Sequence, residues 1–173
     1  MIWVWNFILY SFFGFLLEVA YARATGGRGD RKSLLVLPLC PVYGVGACLI
    51  LLLPRTVIQN PFTLFLLGGL AATAAEYGMA ILYERGLGVS FWDYTGLPGS
   101  ISLAWGALAL PLIYFVHPAV ARLTALIPPG VTWTAAATVA ADMAVSGVLM
   151  KVTGNRDCLR WYQKRAEKAR EGG

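Results

Sequence analysis

Charge is what this chain lacks most. Only 13% of its 173 residues are Asp, Glu, Lys or Arg, against 58% hydrophobic residues, with one histidine and three cysteines. A soluble domain carries about a quarter of its residues as charges, so this composition excludes an ordinary water-facing surface. A mean hydropathy of +0.64 places the chain among integral membrane proteins. The single imidazole, His117, excludes a His-rich metal centre, and neither HExxH nor CxxC spacing occurs. No metal and no cofactor is expected. A GxxxxGK[ST] phosphate loop is also missing, so nucleotide-driven activity would have to come from a separate ATPase. Cys40 and Cys48 share one apolar segment, while Cys158 lies in a basic tail expected to face a reducing cytoplasm, a pattern of free thiols and not of disulfides. The opening apolar stretch has no basic leader and no small-residue cleavage site, so it reads as a first span and not as a signal peptide. No internal repeat of the transporter kind is evident.

Long apolar runs are what the chain has instead. They extend over roughly 20 residues, the length of a helical span, where barrel strands would alternate over about ten. The expected fold is an all-α polytopic transmembrane bundle of about five spans: Met1 to Ala22, Leu34 to Pro54, Phe62 to Glu84, Ile101 to Leu123, and Val131 to Met150. Residues 1–150 form the bundle and residues 151–173 a basic amphipathic tail, whose Leu159 and Tyr162 face one way and whose Arg160, Lys164, Arg165 and Lys168 face the other. Arg23, Arg28, Arg31 and Lys32 crowd the first loop and seven Lys or Arg follow Met150, whereas the second and fourth loops hold only Arg55 and Arg122. The positive-inside rule then puts the N-terminus outside and the C-terminus in the cytoplasm. Anionic lipids, and not nucleic acid, account for the net charge of +5. A second copy of the chain is a further candidate partner.

The second span is punctuated as no lipid-facing helix needs to be. Pro38, Pro41, Gly44 and Gly46 interrupt it around Cys40 and Tyr43. Each proline deletes a backbone donor and frees a carbonyl, which hydrocarbon tolerates only where neighbouring helices or side chains supply the missing bonds. The segment is therefore expected inside the bundle.

Three carboxylates fall within spans: Glu18, Glu76 and Asp142. An ionised group costs roughly 2.5–3.5 kcal/mol at the bilayer centre on insertion scales, so each should face a cavity or a partner. The competing structural readings differ. Glu18 lies close enough to Arg23 to be an interfacial pair. Glu76 follows Thr73 by one turn and can be a hydrogen-bonded structural acid, and Asp142, on a face of small residues, can bond a neighbouring helix. His117 stands near the outer end of the fourth span, where bonding a carbonyl is the simpler role, and a nucleophile pair with Cys40 is disfavoured by their opposite depths. Phe91, Trp92, Asp93 and Tyr94 occupy a glycine-rich connection that is either an interfacial aromatic belt or a re-entrant stretch returning Asp93 to the bundle.

Several strings together resemble one family, the small bacterial membrane proteins grouped as ABC-transporter type IV permeases. They are YSFFGFLLEVAY (Tyr10 to Tyr21), LCPVYGVGA (Leu39 to Ala47), AAEYGMAILYE (Ala74 to Glu84), FWDYTGLP (Phe91 to Pro98) and WGALALPLIYFVHP (Trp105 to Pro118). The resemblance implies a permease-like helical protein and a shared role for Glu18, Pro41, Tyr43, Gly44, Glu76, Tyr77, Trp92, Asp93, Tyr94 and His117. The chain departs from the family pattern at Arg31-Lys32-Ser33, at Leu37-Pro38 and in the shortened Gly99-Ser100 connection.

The leading expectation is a membrane transport component that binds a polar or cationic ligand in a cytoplasm-facing pocket. Its walls would carry Glu18, Cys40, Tyr43, Glu76, Trp92, Asp93 and Tyr94, with His117 and Asp142 as further candidates. An intramembrane enzyme acting on a lipid or isoprenoid, with a burial-raised carboxylate as general base, is the alternative. A non-catalytic subunit packing on another membrane protein is the third reading.

Overall fold

The computed structural model describes residues 1–25, 35–90 and 98–154. Among these residues every regular element is helical: α1 (Ile2–Ala24), α2 (Pro41–Leu51), α3 (Arg55–Gln59), α4 (Pro61–Leu82), α5 (Pro98–Pro111), α6 (His117–Thr124) and α7 (Pro129–Thr153). A π-helical turn, Tyr83–Leu87, extends α4, and a second, Leu112–Val116, joins α5 to α6. Four of the resulting helices are long and apolar enough to cross a membrane: Ile2–Ala24, Pro61–Leu87, Ser102–Thr124 and Pro129–Thr153. The fifth apolar segment is the shorter α2.

Local chemistry sets these boundaries. Asn60 caps α4, its side-chain oxygen accepting from the Phe62 and Thr63 amides, and Pro61 occupies the first turn, where no amide is needed. Gly88, at φ +69°, takes the left-handed position that closes the π turn after α4. Pro111 and Pro118 both sit inside the third long helix, Ser102–Thr124. Pro118 has no amide for the Tyr114 carbonyl and its ring crowds that turn, and the π turn Leu112–Val116 directly before it absorbs both effects.

The second span differs from its expected outline of Leu34 to Pro54. Residues 35–40 are not helical, and α2 begins only at Pro41, with Cys40 extended before it at φ −113°, ψ 95°. At 1.5 Å per residue its 11 residues cover about 17 Å, roughly half a bilayer. Pro38 and Pro41 start the helix late instead of kinking a longer one.

The helices pack mainly as α1 on α2, α2 on α4 and α4 on α5, while α7 leans on α1 and on the first π turn. Glycines allow the close crossings. A Cβ on Gly106 would sit 2.6 Å from the Phe65 carbonyl oxygen, and one on Gly69 would sit 2.7 Å from that of Ser102, so α4 and α5 meet backbone to backbone. Gly44 presses in the same way on Phe7 and Ser11 of α1. The buried interior is small: one cluster gathers Leu35, Leu39, Tyr83, Val89, Val139 and Met150, and another Ile50, Leu64, Ala72, Ala109 and Ile113. Large apolar side chains such as Phe62, Leu70, Phe115 and Trp133 point outward, as hydrocarbon permits and water does not.

Candidate functional site

Three helices bring four of the expected site residues together. Glu18 projects from the last third of α1, Cys40 and Tyr43 from the start of α2, and Glu76 from α4. The Cys40 thiol points at Glu18, with Sγ 3.6 Å from Oε1, and the Cys40 amide donates to the Ser11 carbonyl at 2.9 Å, which docks the extended entry of α2 onto α1. Tyr43 lies flat over Gly14, where any larger residue would collide with its ring. Glu18 thus meets the start of α2 directly, through Cys40.

Trp105 of α5 completes the arrangement. Its indole Nε1 donates to Glu76 Oε2 at 2.6 Å, and its ring meets Tyr43 with centroids 4.9 Å apart and planes at 54°. Such a tilted pair is a favourable aromatic geometry. Sequence reasoning passed over Trp105 as a site residue, although an indole N–H inside an apolar span needs an acceptor, and Glu76 is a strong one. Glu76 is 8% exposed, and among the described residues Trp105 is its one hydrogen-bond donor. A carboxylate has about four lone-pair positions, so most of the acceptor capacity of Glu76 is unused by the described residues. Thr73, one turn earlier, bonds the Gly69 carbonyl at 2.8 Å and the Ser102 hydroxyl at 3.0 Å instead.

Asp142 lies elsewhere and is fully engaged. Its carboxylate accepts from the Val36 amide at 3.1 Å, the Leu37 amide at 2.8 Å and the Ser146 hydroxyl at 3.0 Å. It thereby serves the backbone donors that the non-helical stretch before α2 leaves without an intrahelical partner, and it pins α7 to that stretch. His117 bonds elsewhere: its Nδ1 shares a hydrogen bond with the hydroxyl of the buried Tyr10 at 2.8 Å. Trp92, Asp93 and Tyr94 lie outside the described residues, as does the basic tail.

Beside the aromatic pair a cavity of about 370 Å³ opens between α1, α2 and the third long helix, Ser102–Thr124. Tyr43 and Trp105 line it, together with Gly14 and Leu17 of α1 and with Pro111 and Leu112 at the start of the π turn. Tyr10, bonded to His117, also lines it.

Four bilayer-length apolar helices, with a broken segment packed between them, define a multi-pass helical membrane protein. Across residues 5–150 the chain matches the family model described as "Putative ABC-transporter type IV", and it belongs to that family. It is thus a membrane transport-related protein, consistent with lipid contact along its spans. Comparisons with curated proteins and with solved structures return no match.

Proposed function

We propose that this protein is a permease-like transport component that binds a polar or cationic ligand at Glu18, Cys40, Tyr43 and Glu76, with Trp105 as a fifth contributor. The observation that carries this reading is Glu76: a carboxylate buried in a span, to which the described residues give one donor although it has room for several. A buried acid left with open lone pairs is poised to accept a ligand's donors or positive charge. Glu18 adds a second negative charge across α2, and the Tyr43 and Trp105 rings offer faces on which a cation is held at about 0.5–2 kcal/mol each. In this reading the site opens to the cytoplasm of a bacterial inner membrane, the N-terminus lies outside, and a separate ATPase drives the cycle.

The test is thermal stability of the detergent-purified full-length chain with tetraethylammonium chloride, referenced to the same concentration of sodium chloride. The wild type is stabilised by the organic cation beyond the sodium reference, and Glu76→Gln loses that increment while remaining folded. An unchanged increment in the variant would remove Glu76 from the site.

A further inference from the structure

The carboxylates account for a charge, but they leave the 370 Å³ cavity next to them without a purpose. Its size falls within the range of small-molecule sites. The lining is apolar, and two of its residues belong to the carboxylate site as well: Trp105 faces the cavity while donating to Glu76, and Tyr43 faces it while packing its ring on Trp105. The cavity also coincides with the irregular part of the third long helix, since Pro111, at the entry to the π turn, and Leu112 and Val116 within it contribute to its wall. A π turn widens a helix locally and is a frequent accompaniment of functional sites.

We propose that the ligand is an amphiphilic organic cation, with its apolar body in this cavity and its positive charge against the Tyr43 and Trp105 rings, facing Glu76. The inference rests on the carboxylate site proposed above and names the ligand class that site takes. The physical argument is complementarity at both ends. An apolar body in the cavity removes its surface from water. A cation at the aromatic end meets two ring faces and, through the indole that joins Trp105 to Glu76, a buried negative charge. A small inorganic cation would leave the cavity unfilled, and a neutral apolar molecule would leave the carboxylates unanswered.

The experiment compares three probes on the purified full-length chain: tetraphenylphosphonium, tetraethylammonium and neutral triphenylphosphine oxide. Binding is followed by thermal shift and by tryptophan fluorescence. The expected result is that tetraphenylphosphonium binds at least tenfold more tightly than either of the others. Leu108→Trp, which fills the cavity from α5, should weaken tetraphenylphosphonium tenfold or more and leave tetraethylammonium within twofold. Leu112→Trp, filling it from the π turn, should repeat the effect, and the retained tetraethylammonium response certifies that each variant is folded. If both variants bind tetraphenylphosphonium like the wild type while tetraethylammonium still depends on Glu76, the cavity assignment is overturned and the carboxylate site stands. If triphenylphosphine oxide binds as tightly as tetraphenylphosphonium, the cationic requirement is overturned. If both cations bind Glu76→Gln as well as the wild type, the carboxylate site falls together with the ligand class.

Discussion

Two carboxylates inside the spans, Asp142 and Glu76, look alike as buried charges in an apolar sequence, and the structure uses them differently. Asp142 accepts three hydrogen bonds, two of them from backbone amides of the non-helical stretch before α2. Glu76 accepts one from the described residues, from a side chain that also lines a cavity. Both meet the requirement that an intramembrane charge have a partner. The difference is whether the protein consumes the acceptor capacity itself or leaves it open, and that difference separates a structural acid from a candidate binding acid.

The comparison breaks most visibly at Asp142. Asp142→Ala leaves the part-buried Leu37 amide, at about 1–3 kcal/mol, and the exposed Val36 amide, at less, without that acceptor, so a loss of roughly 2–4 kcal/mol is expected. It should appear as a large fall in Tm and in folded yield, and a variant as stable as the wild type would show that the stretch is held by other bonds. Next in size is Gly106→Val. The added side chain meets the Phe65 carbonyl and forces α5 off α4, costing roughly 1–3 kcal/mol. Because that crossing positions Trp105 against Glu76, the variant should also lose cation-dependent stabilisation, which Asp142→Ala, where it folds, should keep.

Smaller effects sharpen the other side. Trp105→Phe retains a ring against Tyr43 and deletes the donor to Glu76, so about 1 kcal/mol of stability is expected to go. Binding of an organic cation should weaken less than in Glu76→Gln, since the carboxylate remains. Glu76→Gln has the smallest expected effect on stability, under about 1 kcal/mol, because its amide oxygen still accepts from the indole. It has the largest expected effect on binding.

Much of this architecture was legible in the residues. Apolar runs near 20 residues located the four long helices to within a few positions, and the prolines of the second apolar segment marked it as interior. What the prolines did not disclose is that they defer the helix to Pro41 and leave residues 35–40 non-helical, because the acceptors that make this tolerable, Asp142 and the Ser11 carbonyl, are distant in the sequence. The same remoteness hid the division of labour among the acids. Glu18, Glu76 and Asp142 carry the same charge in the same kind of surroundings, and only the three-dimensional placement of Val36, Leu37 and Trp105 tells which of them is consumed. Trp105 was overlooked because one more aromatic in an apolar span carries no local mark of its partner. The π turn after Pro111 belongs to the same class, since a proline announces a disturbance without specifying the form it takes.

The most direct test of the distinction sets Glu76→Gln beside Asp142→Asn. Tm is measured for each and for the wild type, in sodium chloride and in an equal concentration of tetraethylammonium chloride. The account predicts a crossed pattern: Glu76→Gln melts near the wild type in sodium chloride and gains nothing from the organic cation, while Asp142→Asn melts lower and gains as much as the wild type. A Glu76→Gln protein that keeps the wild-type gain, or an Asp142→Asn protein that loses it at wild-type stability, would contradict the account.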